Sequence, residues 1–149
     1  MGVHFLPGAD HRLVYWYFHG LVTAEQSLAE QARAARLGDF SDWLGEFIFL
    51  EPDTEFHRDM YSRFDEMRPR LRELFPRLPP VSAAVCSPVQ MTSLPGFWHL
   101  VTGRSRDIFR RYEIFTELEP AVLWLKGSPD EVRADLERMR AAALRPRSG

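Results

Sequence analysis

The sequence predicts an α/β fold, a mixed and mostly parallel sheet of about five strands flanked by helices. Short apolar segments rich in aromatic and β-branched residues alternate with longer amphipathic segments, and turn or capping residues separate them. Such alternation is typical of parallel strands joined by right-handed helical crossovers. The length of 149 residues fits one domain, placed at 1–144, followed by a tail at 145–149 that should fray.

The first part of the chain predicts two strands and a capped helix. Val3–Leu6 and Arg12–His19 flank the turn sequence Pro-Gly-Ala-Asp, so they should pair antiparallel. The second segment is apolar on both faces, which is typical of a central strand covered on both sides. Thr-Ala-Glu-Gln at 23–26 matches a capping box, and Gly38 should end the helix behind it. The apolar stripe predicted for this helix is Ala24, Leu28, Ala32 and Ala35.

The middle of the chain predicts two more strands around a helix. Glu46–Leu50 and Val81–Cys86 have the composition of buried strands. A helix is expected from Phe56 to Phe75, kinked or split at Pro69 because proline lacks a backbone N–H. Residues 87–103 suggest only a helical turn at 97–101. The loop aromatics could line a pocket, but the favoured interpretation is that they seal the core; they are Phe40, Trp43, Phe97 and Trp98.

The last third predicts a fourth parallel strand and two helices. Arg111–Phe115 is the strand, and Pro120–Leu125 is a short helix that Gly127 ends. Ser-Pro-Asp-Glu at 128–131 is a second capping box with proline at the first helical position. The apolar stripe predicted for the final helix is Val132, Leu136, Met139 and Ala143.

Composition and charge argue against several classes of function. A net charge of −2 disfavours a nucleic-acid partner, since such proteins usually carry a basic excess. Cys86 is the only cysteine, so no internal disulfide can form, which suits a reducing compartment. Without a signal-peptide pattern or an apolar run of the roughly 20 residues a membrane span needs, a cytoplasmic protein is expected. The five histidines lack ligand spacing, so no metal site is predicted, and no motif predicts a cofactor.

Three segments carry a family resemblance. They are Phe-His-Gly-Leu-Val-Thr at 18–23, the small-residue strand Val81–Cys86, and Tyr-Glu-Ile-Phe at 112–115 followed by Glu-Pro-Ala-Val-Leu-Trp-Leu at 119–125. Over most of residues 10–126 the chain resembles the bacterial sporulation-protein-AA-like proteins, a branch of the STAS fold related to lipid-binding SEC14-type domains. The resemblance implies a small STAS-like domain that regulates by switching partners and is not an enzyme.

The resemblance also draws attention to phosphorylation. Better-known members of the family are phosphorylated on a serine or threonine within an Asp-Ser-Ser-Gly-like turn. Here the matching region reads Leu-Glu-Pro-Asp-Thr-Glu-Phe at 50–56, and Thr54 is its only hydroxyl. Asp53 and Glu55 flank Thr54, so a phosphate there would be repelled. We therefore expect no phosphorylation switch.

Parallel strands would bring several reactive side chains to one edge of the sheet, where α/β proteins usually bind ligands. A cysteine or serine near a histidine and an aspartate is compatible with an enzyme, here one using Cys86 and His19. The favoured interpretation of Cys86 is a small core residue, since it ends an apolar strand. The side chains expected at this edge are His19, Glu51, Asp53, Cys86, Ser87 and Thr116.

An arginine cluster near Trp98 is the remaining candidate site. Four arginines at 104–111 could bind a phosphate or carboxylate, or could simply be solvated. The favoured function is a non-enzymatic regulatory or ligand-binding domain for an anionic or amphipathic small molecule or a protein partner. A homodimer is also expected, because the aromatic loops and the edge at Val3–Leu6, which is taken to be exposed, favour self-association. The binding candidates are Trp98, Arg104, Arg106, Arg110, Cys86, Ser87 and His19.

Overall fold

The computed structural model describes residues 2–92 and 111–144. The strands within them are β1 Val3–Pro7, β2 Leu13–Phe18, β3 Leu21–Val22, β4 Gly45–Leu50, β5 Glu55–Phe56, β6 Val81–Val85 and β7 Arg111–Phe115. The helices are α1 Ala24–Leu37, α2 Asp59–Ser62, α3 Phe64–Leu74, α4 Leu118–Trp124 and α5 Pro129–Leu144, with short 3₁₀ turns at Phe75–Arg77 and Gln90–Thr92. The helical turn predicted at 97–101 and the tail at 145–149 lie outside the described residues.

The main sheet confirms the predicted mixed, mostly parallel topology. Its order is β1-β2-β4-β6-β7. β1 runs antiparallel to β2, and every other neighbouring pair is parallel. β2 is an interior strand, as predicted, and its residues 13–17 are buried. β3 and β5, which the sequence analysis did not predict, form a separate two-stranded parallel sheet.

Helices cover both faces of the main sheet. On one face, Val14, Trp16 and Ile48 pack with apolar side chains of α1, α2 and α3. On the other face, Tyr15 and Phe47 pack with α4 and α5. The stripe predicted for the last helix is confirmed, with three of its members buried and the fourth packed at the margin of that core. Both faces of the sheet are therefore covered, so a ligand can reach it only at its edges and strand ends.

Helix α1 begins and ends where the sequence predicted, but its buried stripe differs in part. Thr23 and Gln26 form the reciprocal capping box, and Gly38 caps the C-terminus at φ 145°. The predicted stripe of Ala24, Leu28, Ala32 and Ala35 lies partly in the core: Ala24 is buried, and Leu28 and Ala35 are partly buried and pack against it. The other buried positions of α1 are Ser27, Glu30, Gln31 and Ala34. The helix therefore also places a polar side chain, that of Glu30, against β1.

Polar side chains of α1 cover the edge that the sequence analysis took to be exposed. Val3 and Phe5 are buried. Glu30 accepts a hydrogen bond from the Phe5 backbone N–H at 3.1 Å, and the guanidinium of Arg33 donates to the Phe5 carbonyl. The backbone groups of Phe5 are therefore already bonded, and the edge of β1 is not free at this residue. The homodimer itself stays a prediction.

The long helix predicted for Phe56–Phe75 is wrong in its boundaries. Phe56 belongs to β5, and the helix breaks at Arg63, which has φ −101° and ψ 17°. Pro69 lies inside α3 instead of splitting it. Because proline has no N–H, the backbone carbonyl of Asp65 loses its helical hydrogen bond. Asp65 is exposed, so water can bind this carbonyl instead.

The described loop aromatics seal the core, as favoured from the sequence. Phe40 is buried and its ring lies 5.8 Å from that of Phe5. Trp43 packs edge-on against Phe40 with the ring centroids 5.0 Å apart. Together they close the end of the sheet opposite the carboxyl ends of its parallel strands.

One carboxyl group is buried inside this core. Glu46 is 1% exposed, and its two oxygens accept hydrogen bonds from Trp16 Nε1 at 3.0 Å and Ser82 Oγ at 2.9 Å. These two donors favour the carboxylate, but burial dominates and raises the pKa of Glu46 to about 7. Among the described residues no cation pairs with Glu46.

Candidate functional site

The carboxyl ends of the parallel strands meet at one edge of the sheet, as the sequence analysis expected. β2, β4, β6 and β7 run in the same direction. His19, Glu51, Cys86 and Thr116 each directly follow one of these strands. This edge is the usual place for a ligand in an α/β sheet.

The structure does not bring His19 and Cys86 together. The His19 ring stacks on Tyr17, with centroids 5.6 Å apart, and its Nε2 lies 3.2 Å from Nε2 of His4. Tyr17 belongs to the core beneath α4 and α5, whereas Cys86 belongs to the core beneath α1, α2 and α3. The two side chains thus lie on opposite faces, which leaves the thiol without this histidine as a base.

Cys86 has the environment of a core thiol. It is 2% exposed, and burial raises the pKa of its thiol. Since the thiolate is the reactive form, we expect iodoacetamide to modify Cys86 slowly in the native protein at neutral pH and rapidly in guanidinium chloride. Mass spectrometry of timed samples measures both rates. Equal rates in the two conditions would contradict the buried placement.

Glu51 is held by a closed polar network on the face covered by α5. The Tyr17 hydroxyl donates to Glu51 Oε1 at 2.9 Å, and Arg140 Nε donates to the same oxygen at 2.6 Å. The Arg140 guanidinium also lies over the Phe49 ring, 5.4 Å from its centroid. Burial and the Glu51 carboxylate both raise the pKa of Tyr17. This network anchors α5 to the sheet, and its charges neutralise each other.

A pocket of about 510 Å³ opens at the same edge, and we call it the strand-end pocket. One wall is Leu50 at the end of β4 with residues 52–56, and the opposite wall is formed by four residues after β6. Tyr61 of α2 completes the described lining. The residues of the second wall are Ser87, Val89, Gln90 and Thr92.

Gln90 ties the two walls together. Ser87 Oγ accepts from the Gln90 backbone N–H at 3.2 Å, and Gln90 Oε1 accepts from the Ser87 N–H at 2.8 Å. The Gln90 amide nitrogen then donates to the backbone carbonyls of Glu51 at 2.9 Å and Thr54 at 3.3 Å. The sequence Ser-Pro-Val-Gln at 87–90 is a capping-box signature, but the sequence analysis missed it among the prolines.

The side chain of Thr54, in the first wall, is directed into the protein. It is 7% exposed, and its hydroxyl donates to the Phe18 carbonyl at 3.0 Å. A kinase would have to break this bond and expose the side chain, which adds a steric reason to the electrostatic one. The absence of a phosphorylation switch at Thr54 stays a prediction.

Three of the four arginines of the cluster lie outside the described residues. Trp98, Arg104, Arg106 and Arg110 lie outside the described residues, so the anion site proposed for them stays a prediction. Arg111 is described as the first residue of β7, and its guanidinium lies 4.7 Å from the centroid of the Trp124 ring. This contact joins β7 to α4.

Comparison of the chain with models of protein families, with curated proteins and with solved structures finds no match. None of the described helices is long and apolar enough to cross a bilayer. In residues 2–92 and 111–144, no three histidine, cysteine or carboxylate side chains group closely enough to hold a metal ion.

Proposed function

We propose that this chain is a non-enzymatic ligand-binding domain of the STAS-like class and that its site is the strand-end pocket. The observation that carries the proposal is the cavity itself, about 510 Å³ in volume, at the carboxyl ends of parallel strands. This volume lies within the range of roughly 300–1,000 Å³ typical of small-molecule sites. The bracing by Gln90 supports a pocket that exists before the ligand arrives, which lowers the entropic cost of binding.

The lining favours an amphipathic ligand. Leu50, Phe56 and Val89 supply apolar surface, and Val89 is 80% exposed. Asp53 and Glu55 supply polar groups on the same wall as Phe56. A molecule with an apolar part and a polar end would satisfy both halves of this surface.

The described side chains favour binding over catalysis. Two hydroxyls of the described pocket lining already take part in hydrogen bonds within the protein, since Ser87 Oγ accepts the Gln90 N–H and the Thr54 hydroxyl donates to the Phe18 carbonyl. Nucleophilic catalysis requires a nucleophile in hydrogen-bond contact with a base. The enzyme hypothesis built on Cys86 and His19 gains no support from their placement on opposite faces of the sheet.

The test uses Nile red, a neutral dye whose fluorescence rises in apolar sites. We expect saturable binding to the native protein. The double substitution Val89→Trp with Thr92→Trp should weaken it at least about tenfold by filling the pocket, because both positions line it. The matched control is Leu37→Trp with Leu123→Trp, two exposed apolar residues outside the described pocket lining, which should leave binding unchanged. Equal affinity in both double variants would overturn the proposal.

A further inference from the structure

The charge of the strand-end pocket narrows the class of ligand. Two carboxylates, Asp53 and Glu55, line it, and the described lining contains no lysine, arginine or histidine. Both acidic residues are exposed. We infer that the pocket selects an organic cation with an apolar tail, an amine or quaternary ammonium. This inference rests on the proposed function of the pocket.

Two side-chain hydrogen-bond donors of the pocket are used within the protein. The Gln90 amide nitrogen donates to backbone carbonyls of the opposite wall, and the Thr54 hydroxyl donates to Phe18. These donors hold the walls together and are directed away from a ligand. An anionic head group requires donors, and these two are not available to it.

Acceptors, in contrast, remain available. Asp53 Oδ1 accepts the Gly20 N–H at 3.2 Å, which fixes the position of this carboxylate. Among the described residues, neither Asp53 Oδ2 nor the Glu55 carboxylate has a hydrogen-bond or ion-pair partner. Two unneutralised carboxylates on one wall favour a positive head group by simple electrostatic attraction.

The aromatic side chains of the pocket also favour a cationic head group. Phe56 and Tyr61 both line the pocket. The face of an aromatic ring attracts a cation, and a quaternary ammonium beside such rings and a carboxylate is a recurrent arrangement in proteins. Leu50 and Val89 would then contact the tail.

The experiment compares three competitors that share one alkyl chain. Octyltrimethylammonium, octanol and octanoate are titrated against bound Nile red in the full-length protein. We expect the ammonium compound to displace the dye at least about tenfold more tightly than octanol, with octanoate weakest. The preference for the cation should shrink as the salt concentration rises, since exposed carboxylates are screened.

The matched variants test which residues cause the preference. Asp53→Asn with Glu55→Gln should remove the preference for the ammonium compound over octanol, measured as the ratio of the two affinities in the same variant. Asp42→Asn with Glu73→Gln removes the same charge at two exposed residues outside the described pocket lining and should keep the preference. Octanoate binding as tightly as the ammonium compound would overturn the inference while the pocket stands. Failure of Nile red to bind would instead overturn the proposed function.

Discussion

A Glu46→Gln variant is expected to exceed the wild type in stability by about 3 kcal/mol at about pH 8, and to match it within about 1 kcal/mol at about pH 5. Glu46 is buried, and burial raises the pKa of its carboxyl group from the ordinary 4.5 to about 7. The folded protein therefore binds the proton more tightly than the unfolded chain does. This contribution to stability is fully present below the unfolded pKa and is lost as the pH rises through about 7.

The size of the effect follows from the difference between the two pKa values, which corresponds to roughly 3 kcal/mol. Glutamine keeps the shape of the side chain and carries no charge at any pH. Its carbonyl can accept from Trp16 Nε1, and its amide can donate to Ser82 Oγ, so both side chains keep a hydrogen bond to residue 46. The variant should therefore remove the charge without opening a cavity.

Urea denaturation of both proteins at several pH values measures the prediction. The informative quantity is the difference in the free energy of unfolding between the variant and the wild type, because contributions common to both proteins cancel in it. Glu73→Gln, an exposed glutamate on α3, serves as the control and should show no difference at any pH. A Glu46→Gln difference that stays constant between about pH 5 and about pH 8 would show that the buried carboxyl does not titrate there.

The buried Glu46 illustrates what the sequence cannot predict. The strand itself was recognisable, because Glu46–Leu50 is a short apolar run with aromatic residues. The partners Trp16 and Ser82 lie 30 and 36 residues away, and they meet Glu46 only through the register of β2, β4 and β6. A single glutamate at the start of a strand is otherwise typical of an exposed end, so its burial depends on pairings that are not local.

The strand-end site was predictable in location but not in detail. Parallel strands bring their carboxyl ends to one edge, which follows from the element order alone. The face on which each side chain lies depends on register: Tyr17 pairs with Phe49, and Phe49 pairs with Val85. Val85 therefore shares the face of Tyr17 and His19, and Cys86 falls on the other. Local signals such as the capping boxes were readable because their donors and acceptors lie three residues apart.

The edge of β1 depends on side chains of α1. The backbone N–H of His19 donates to the Gly2 carbonyl, and that of Gly8 donates to the Leu13 carbonyl. In an antiparallel pair every second residue forms such bonds, so the backbone groups of the even-numbered residues of β1 bond to β2. The backbone groups of the odd-numbered residues therefore face outward. Pro7 has no N–H to offer, which is one common way to block an edge. Phe5 is blocked differently, since Glu30 and Arg33 bind its N–H and carbonyl.

Glu30→Ala is therefore expected to lower the free energy of unfolding by roughly 2–3 kcal/mol and to make the protein self-associate. Glu30 is 1% exposed, so its removal leaves the Phe5 N–H without an acceptor in a region that water reaches poorly. It also removes the carboxylate that positions Arg33, whose Nε donates to Glu30 Oε1 at 2.6 Å. The outward side of β1 then presents a donor and an acceptor to a strand of another molecule.

The control is Glu30→Gln, which keeps an acceptor for the Phe5 N–H and loses only the charge of the pair with Arg33. Arg33 is 45% exposed, so this charge should contribute no more than about 1 kcal/mol. Urea denaturation measures the stability of both variants, and sedimentation over a range of concentrations measures their association. Because only the alanine variant frees the edge, it alone should show larger species as the concentration rises. If the glutamine variant associates as strongly as the alanine variant, the bond from Arg33 to the Phe5 carbonyl protects this edge from pairing more than Glu30 does.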